Sequence, residues 1–192
     1  MSCEQQVITF FSKKEEYQTL SNFWEAEVWI EDVNETRKYA TGEHCFHGEK
    51  FIRLGELVTD AERAAMLTAH GRLFVMDAVK PLATALDAKR RGGKRRLGFM
   101  LTKDELDIWY EISTAVQLEI CEYKMKHYQE VCDDLRMSGD KILVHPALRA
   151  REDDLERCIW EGRATKVNGK IVILGQNRLG NIWMQCRDKM FS

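Results

Sequence analysis

The feature that most constrains this chain is a long stripe of mainly apolar residues just past its midpoint. Its members follow one another at steps of three and four: Leu106, Trp109, Ile112, Val116, Ile120, Tyr123 and His127. Residues at these steps share one helix face, so the pattern predicts a long amphipathic helix. Thr102-x-x-Glu105 precedes the stripe as a capping box and marks where the helix begins. Core packing is then the default role of Trp109.

Weaker local patterns surround this helix. Further helices are expected at 43–54, at 61–67 behind the capping signal Thr59-x-x-Glu62, at 77–89, at 153–161 and after an N-cap at Asn177. Strand-like runs are expected at 7–11, in a hairpin spanning 27–40, and in a hairpin at 166–174 with an Asn-Gly turn. Few strands among many helices predict a mainly helical α+β fold with short β-hairpins, in a single domain spanning 1–192.

Composition places the chain among ordinary globular proteins. Of its 192 residues, 44% are hydrophobic, and the formal net charge of −2 means that any nucleic-acid contact must come from a local patch. None of the six cysteines forms a C-x-x-C pair, which indicates reduced thiols and a cytoplasmic or nuclear location. We expect no signal region, no membrane contact and a monomer.

The segment 89–96 is the candidate for such a patch. Six of its eight residues are Lys or Arg. A run of this kind is typical of contacts to the phosphate backbone of DNA or RNA, of a nuclear import signal, or of a solvated loop between helices. No aromatic residue is interleaved, which argues against a stacking platform for single strands.

A second candidate is the helical segment that begins at Thr41. Its spacing places Glu43, His47 and Lys50 on one helix face, with the backbones of the first and last roughly 10 Å apart. A carboxylate and an amine on one wall suit the stabilisation of a cation and nucleophilic attack on an electrophilic carbon. An exposed face with ordinary ion pairs has the same spacing. His44, Cys45 and His47 do not match the zincin pattern, so we expect no metal site.

Three shorter segments have both a functional and a structural interpretation. Ser21-Asn22-Phe23 could contact a ribose or base, or could be a turn with an apolar plug. The helix N-terminus behind Gly175 could bind phosphate through free backbone N–H groups, or could be a capped turn. Trp160 follows an acidic stretch and could line a sugar or base pocket, or could pack in the core.

An ordered set of motifs runs through nearly the whole chain. Its parts are Ser21-Asn22-Phe23; Thr41-Gly42-Glu43-His44 with Phe46 and Lys50-Phe51; Gly71-Arg72; Trp109 with Lys124; Trp160; and Gly175-Gln176-Asn177-Arg178-Leu179-Gly180 with Met184 and Arg187. The set resembles the NADAR superfamily, also called YbiA-like proteins, with its S/T-x-E-H-x-F/Y-Q-x-x-K-F and terminal G-x-N-x-L-G motifs. The chain departs from the family at His47, where the family has Gln. It also departs around Trp160, where the family's D-x-x-W-G motif has an acid at the position of Arg157 and a glycine at the position of Glu161.

The resemblance implies a compact, largely helical YbiA-like domain that cleaves an N-glycosidic bond without a metal or cofactor. Glu43 would stabilise the charge on the anomeric carbon, and Lys50 would trap that carbon as a Schiff base. An apolar wall of Phe46 and Phe51 would lower the pKa of Lys50. Substrate would be bound by Ser21, Asn22, Phe23, His44, Phe46, His47, Arg72, Trp109, Trp160, Gly175, Asn177 and Arg178, with Asp154 or Glu156 supplying the carboxylate missing at 157.

The resemblance also bounds the substrate. The favoured activity is removal of ADP-ribose from ADP-ribosylated guanine in nucleic acid or nucleotides, because the chain has a basic run and no fused flavin-pathway domain. Hydrolysis of phosphoribosylated riboflavin intermediates is one alternative. A non-catalytic ADP-ribose-binding module is another, in view of the altered residues around Trp160.

Overall fold

Helices dominate the part of the chain that the structure, a computed structural model, describes: residues 7–33, 35–93 and 99–191. The α-helices are α1 (Gly42–Leu57), α2 (Ala61–Arg72), α3 (Ala85–Gly92), α4 (Lys103–His127), α5 (Gln129–Ser138) and α6 (Arg178–Phe191). The strands are β1 (Val7–Thr9), β2 (Val28–Glu31), β3 (Thr36–Tyr39), β4 (Ile142–Val144), β5 (Arg163–Val167) and β6 (Lys170–Leu174). The mainly helical α+β class with short hairpins is therefore confirmed.

The predicted long helix is α4, and its capping box forms. The Thr102 backbone N–H donates to the Glu105 carboxylate at 2.7 Å, and the Glu105 N–H donates to the Thr102 hydroxyl at 3.2 Å. Two backbone donors of the first turn, which have no partner within the helix, are thereby satisfied. Among the described residues, no helix has the length and apolar content that a membrane span requires.

The described strands form three two-stranded sheets. Both predicted hairpins are present: β2 pairs antiparallel with β3, and β5 with β6. The turn of the second has positive φ at Asn168 and Gly169, 51° and 77°, which is the geometry that makes Asn-Gly a hairpin signal. The third sheet joins β1 and β4 in parallel, with Val7 opposite Ile142.

The chain divides into two compact units. The central unit is Asn22–Lys124, and the terminal unit combines Met1–Ser21 with Met125–Ser192. A single domain spanning 1–192 stays a prediction.

The core of the central unit surrounds α1. Packed into one cluster are Val28, Ile30, Tyr39, Cys45, Phe51, Ile52, Leu54, Leu67, Phe74, Val75, Ala88, Val116 and Ile120. Burial of one large apolar side chain contributes about 1.5–3 kcal/mol. Because α1 packs within this cluster, several of its polar side chains are buried as well, and each of these needs a partner.

Glu49 shows how α1 meets that requirement. Its side chain is 0% exposed, and its carboxylate accepts from Arg37 at 2.7 Å and from the Tyr39 hydroxyl at 2.6 Å. Arg53, one turn further along α1, adds a bond at 2.9 Å. Burial acts to raise the pKa of Glu49, but these hydrogen bonds hold it below its ordinary value. The β2–β3 hairpin is thereby tied to α1.

In the terminal unit, α6 lies against β4. The Trp183 indole N–H donates to the Leu20 carbonyl at 2.8 Å, and its ring is fully buried. Arg187, one turn later, donates to the Ser138 hydroxyl at 2.8 Å. These contacts connect α6 to the start of the chain and to the end of α5.

Two predicted helix starts and one predicted α-helix are wrong. The helix expected at 77–89 is α3, which begins only at Ala85 because Thr84 caps the N–H of Asp87. The cap of α2 is Asp60, whose carboxylate accepts from the Arg63 N–H at 2.7 Å, and not the preceding Thr59. The helix expected at 153–161 is a short 3₁₀ helix, Glu152–Arg157.

Candidate functional site

The candidate site is built on the first three turns of α1. Thr41 has an extended backbone and its hydroxyl accepts from the His44 N–H at 3.4 Å, so it is the N-cap. The Glu43 N–H donates to the Asn22 carbonyl at 2.9 Å. Two of the donors that a helix start leaves open are therefore used within the protein, which fixes the register of the following side chains.

Glu43, His47 and Lys50, called the α1 face below, lie together as their spacing predicts. Their exposed fractions are 8%, 9% and 7%. The Nε2 of His47 lies 3.3 Å from Oε1 of Glu43. Burial lowers the pKa of His47 below its ordinary value of 6.5, against the opposing effect of the hydrogen bond to Glu43. The ring is therefore neutral at neutral pH.

The end of α3 closes over this face. The amine of Lys50 donates to the carbonyl oxygen of Gly92 and lies 4.6 Å from the centre of the Phe51 ring. A Cβ added to Gly92 would lie 2.1 Å from Cγ of His47, so only glycine fits there. One backbone residue thus contacts both His47 and Lys50. Sequence reasoning missed Gly92, for which the only signal is a glycine at the end of a helix.

His44 points elsewhere. Its Nδ1 lies 2.9 Å from the Thr41 hydroxyl, and its Nε2 lies 3.2 Å from the Leu82 carbonyl. Both ring nitrogens are engaged inside the central unit, which argues against the predicted contact with substrate. Burial lowers the pKa of His44, so the ring is a neutral link between the start of α1 and the segment before α3.

Asn22 is held by α4. Its amide nitrogen donates to the Gln117 side chain at 2.8 Å, and the Gln117 amide donates back at 3.0 Å. Both side chains are buried. This reciprocal pair fixes the loop in front of Glu43 and occupies the polar groups that were predicted to contact a ribose. Gln117 was not predicted; its signal is a polar residue in the helix that carries the apolar stripe.

Aromatic side chains flank the α1 face. Phe46 meets Trp109 edge to face with ring centres 5.0 Å apart, and both are half-buried. Trp109 packs against the core cluster, as its place in the stripe suggests. Phe23 lies 5.3 Å below the ammonium of Lys89, a cation–π contact. Phe23 and α3 are therefore neighbours in the central unit.

Arg72 is paired with an acidic residue. Its guanidinium donates to both carboxylate oxygens of Glu35, at 2.7 and 2.5 Å. The arginine side chain remains 43% exposed. The Glu35 carboxylate balances the charge of Arg72. A substrate phosphate would therefore have to displace Glu35 in order to bind Arg72.

The other predicted residues lie in the terminal unit. Asp154 and Glu156 are exposed on the 3₁₀ helix, and Trp160 is half-buried. Asp154 lies 3.7 Å from Arg157, the residue that stands where an acid was expected. Ser21 is buried at the end of the first segment, and its N–H donates to the Gln18 carbonyl at 2.9 Å.

The start of α6 differs from the prediction. The Asn177 side chain does not cap the helix; its oxygen accepts from the His145 N–H at 3.0 Å, and its amide donates to the Leu143 carbonyl at 2.8 Å. The backbone N–H groups expected to be free for phosphate donate to the segment containing Trp160. That of Arg178 donates to Ile159 at 3.0 Å.

These bonds, together with a φ of 87° at Gly175, form a closed junction between the Trp160 segment and α6. A Cβ on Gly175 would lie 2.8 Å from the Glu161 carbonyl, so this glycine is required by the turn itself. The Arg178 side chain makes a local hydrogen bond, because its Nε donates to the Gln176 side chain at 2.9 Å.

The basic run is only partly described. Lys89, Arg90 and Arg91 form the end of α3, and Lys89 and Arg90 are exposed. Lys94, Arg95 and Arg96 lie outside the described residues. Across the described ranges, no cluster of three His, Cys, Asp or Glu side chains could hold a metal ion.

Comparison with known proteins supports the architecture. No family model matches the chain, and no curated protein gives a significant match. The NMR structure of the E. coli protein YbiA superposes with a TM-score of 0.58, over 98% of this chain and 86% of YbiA. The chain has the YbiA fold. Sequence identity over the match is 21%, so the likeness concerns the fold, and it confirms the YbiA-like architecture expected from the motifs.

Proposed function

We propose that this protein is an N-glycosidase that removes ADP-ribose from ADP-ribosylated guanine in nucleic acid or nucleotides. The observation that carries the proposal is the α1 face: a buried carboxylate held by a neutral imidazole, with a buried amine one turn further along. Burying such groups costs stability unless each is partnered. The ordered NADAR-like motifs and the YbiA fold add support.

The proposed chemistry uses the negative charge of Glu43 and the lone pair of Lys50. As the bond from the anomeric carbon to guanine breaks, its electron pair leaves with the base, which takes up a proton, and positive charge grows on the ribose. The Glu43 carboxylate would stabilise that charge in a site of low dielectric. The lone pair of Lys50 would form a bond to the anomeric carbon, giving a Schiff base once the ribose ring opens. Water would then release ADP-ribose and restore the amine.

The surroundings of the face suit a planar, anionic substrate. Phe46 and Trp109 provide aromatic edges beside the α1 face, and Phe23 with Lys89 pairs a ring with a cation. An aromatic ring can stack on a base, and a lysine can bind phosphate. Exposed Lys89 and Arg90 on α3 favour a nucleic acid over a small neutral substrate.

A substrate panel tests the proposal. The protein is incubated with an ADP-ribosylated guanine oligonucleotide and, separately, with phosphoribosylated riboflavin precursors, and products are followed by mass. Release of ADP-ribose and unmodified guanine from the first supports the proposal. Turnover of only the second makes the protein a hydrolase of flavin intermediates. Binding of ADP-ribose without product release makes it a non-catalytic reader.

Glu43→Gln sharpens the panel. We expect this variant to bind substrate but to lose at least about 10²-fold in the rate of single-turnover cleavage, because the amide carries no charge. Glu56→Gln, an exposed change on the same helix, is the matched control and retains the wild-type rate. Unchanged activity of Glu43→Gln would remove Glu43 from the chemistry.

A further inference from the structure

The His47 ring is packed between Phe46, Phe74 and Gly92. The ring lies 5.6 Å from Phe46 and 6.3 Å from Phe74, measured between ring centres. Gly92 touches the ring from the third direction. A side chain packed in this way has one orientation, so the atom that it offers to Glu43 is determined by the fold.

The hydrogen bond to Glu43 identifies which ring nitrogen carries the proton. A carboxylate can only accept, so a neutral imidazole bonded to it must carry its hydrogen on Nε2. Nδ1 then has a lone pair, and that atom is buried with no hydrogen-bond partner among the described residues. The Nδ1–H tautomer would instead place two acceptors opposite each other and leave a buried donor unsatisfied.

Burial and two lysines oppose protonation of the ring, whereas Glu43 favours it. Among the described residues, the charged and titratable groups that act on the ring are Glu43 and Lys50 on its own helix and Lys89 on α3. Burial is the largest factor that lowers the pKa of His47, and the two lysines lower it further. An imidazolium would also place an N–H on Nδ1, where the described residues provide no acceptor.

We propose that His47 is a positioning residue: its Nε2–H holds the Glu43 carboxylate in the orientation that faces the anomeric carbon, and Gly92 seats the imidazole for this task. The inference rests on the proposed glycosidase function. In this assignment His47 donates a hydrogen bond to Glu43. A glutamine amide can donate the same bond, so His47 would keep the role of the Gln that the family has at this position. It also makes the end of α3 part of the catalytic geometry, because Gly92 contacts His47 and Lys50 together.

Two substitutions separate donation from packing. His47→Gln keeps an N–H of similar reach, whereas His47→Leu fills the same space without a donor. We expect His47→Gln to retain kcat within about threefold and His47→Leu to lose about 10- to 100-fold in kcat with little change in KM, as for a lost hydrogen bond to a charged group. Thermal melts confirm that each variant is folded.

The pH profile gives a readout that packing alone does not move. In the wild type, protonation of the imidazole places a positive charge against the Glu43 carboxylate and offsets its effect on the anomeric carbon, so kcat falls as this group is protonated. In His47→Gln this contribution is absent, because an amide does not titrate, so the acid limb differs from that of the wild type. A His47→Leu variant with wild-type kcat, or an unchanged acid limb in His47→Gln, would overturn the proposal.

A spectroscopic arm distinguishes this inference from the glycosidase function itself. Nitrogen-15 NMR of the wild type at pH 7 should show the neutral Nε2–H tautomer of His47; the Nδ1–H tautomer or an imidazolium would overturn the inference. Crystal structures of the variants should show the Glu43 rotamer kept in His47→Gln and changed in His47→Leu. If the wild type turns over no substrate in the panel, the glycosidase function fails, and these two measurements still decide whether His47 holds Glu43.

Discussion

Lys50 of α1 donates a hydrogen bond to the carbonyl oxygen of Gly92, the last residue of α3. A carbonyl at the C-terminal end of a helix carries part of the negative end of the helix dipole, so it is a favourable partner for an amine. When the Lys50 ammonium gives up a proton, the amine that remains has two N–H groups and a lone pair. It can therefore keep this bond while its lone pair attacks a carbon, and the bond aims the nucleophile.

The first prediction is that Lys50 forms a covalent intermediate. Borohydride added during turnover should reduce the Schiff base and leave one ADP-ribosyl group on the peptide that contains Lys50. Lys50→Met keeps the apolar stem and removes the nitrogen, so we expect no adduct and a loss of at least about 10²-fold in single-turnover rate. Lys103→Met, an exposed change at the start of α4, should trap normally. Trapping that persists in Lys50→Met would assign the nucleophile to another residue.

The second prediction concerns Gly92. An alanine there places its Cβ within 2.1 Å of the His47 ring, so the ring or α3 must move. Overpacking of this kind costs about 1–3 kcal/mol, and activity should fall further than stability explains because Glu43 loses its partner. Among the described residues, a Cβ on Gly93 meets the Lys89 carbonyl at 2.9 Å, and Gly93→Ala should retain more of the activity. Unfolding in denaturant and kcat, measured on both variants, check this.

The third prediction is strong coupling between Asn22 and Gln117. Removing either amide leaves the other buried without its partner, which costs about 1–3 kcal/mol. The Asn22→Ala/Gln117→Ala double variant leaves neither amide unpaired. It should therefore lose less stability than the sum of the two single variants. Additive losses in the double-mutant cycle would mean that the two amides do not depend on each other. The free energy of unfolding is the quantity to measure.

Local signals made part of this fold predictable. The capping box of α4 and the Asn168-Gly169 turn are each decided by residues a few positions apart, and both formed as expected. The pairing of β1 with β4 joins segments far apart in sequence, and no local pattern encodes the partner of a three-residue strand. The helix expected at 77–89 failed because apolar spacing does not report where the cap lies; Thr84 sets that boundary.

The candidate site was predictable in its composition but not in its partners. Helical spacing placed Glu43, His47 and Lys50 on one face. Spacing gives no information on what covers that face, and the Gly92 backbone is invisible to arguments based on side-chain chemistry. The same limit applies at α6: free donors at the helix N-terminus were one of two interpretations, and carbonyls of the Trp160 segment accept these donors.

The fourth prediction tests α3 as a phosphate-binding element. Lys89 and Arg90 are exposed at its C-terminal end, so the Lys89→Ala/Arg90→Ala double variant should bind an oligonucleotide more weakly. The slope of log affinity against log salt should fall by about one for each phosphate that the variant no longer neutralises. A control double variant removes two exposed lysines of α4, Lys103 and Lys126, and should keep the wild-type slope. Equal slopes in all three proteins would exclude α3 from the interface.

The final prediction is a loss of stability on mild acidification. Burial lowers the pKa of His44, His47 and His70 below the ordinary value of 6.5. The unfolded chain therefore binds more protons than the folded chain as pH falls through 6.5, so the free energy of unfolding decreases as the pH falls through this window. Arg72 and Arg63 lower the pKa of Glu35 and Glu105, whose stabilising effect is lost only as pH falls below about 4.5.

His70 offers the cleanest test of that window. Its ring stacks on Phe99 with centres 4.6 Å apart and meets Phe51 edge to face at 4.4 Å, so His70→Phe keeps an aromatic ring in an aromatic setting. Denaturant unfolding between pH 7.5 and 5.5 should show a smaller loss of stability in this variant than in the wild type. His127→Gln changes an exposed histidine and should match the wild type. If the wild type and His70→Phe lose equal stability, the buried imidazole of His70 does not resist protonation, and the acid sensitivity must come from the other two rings.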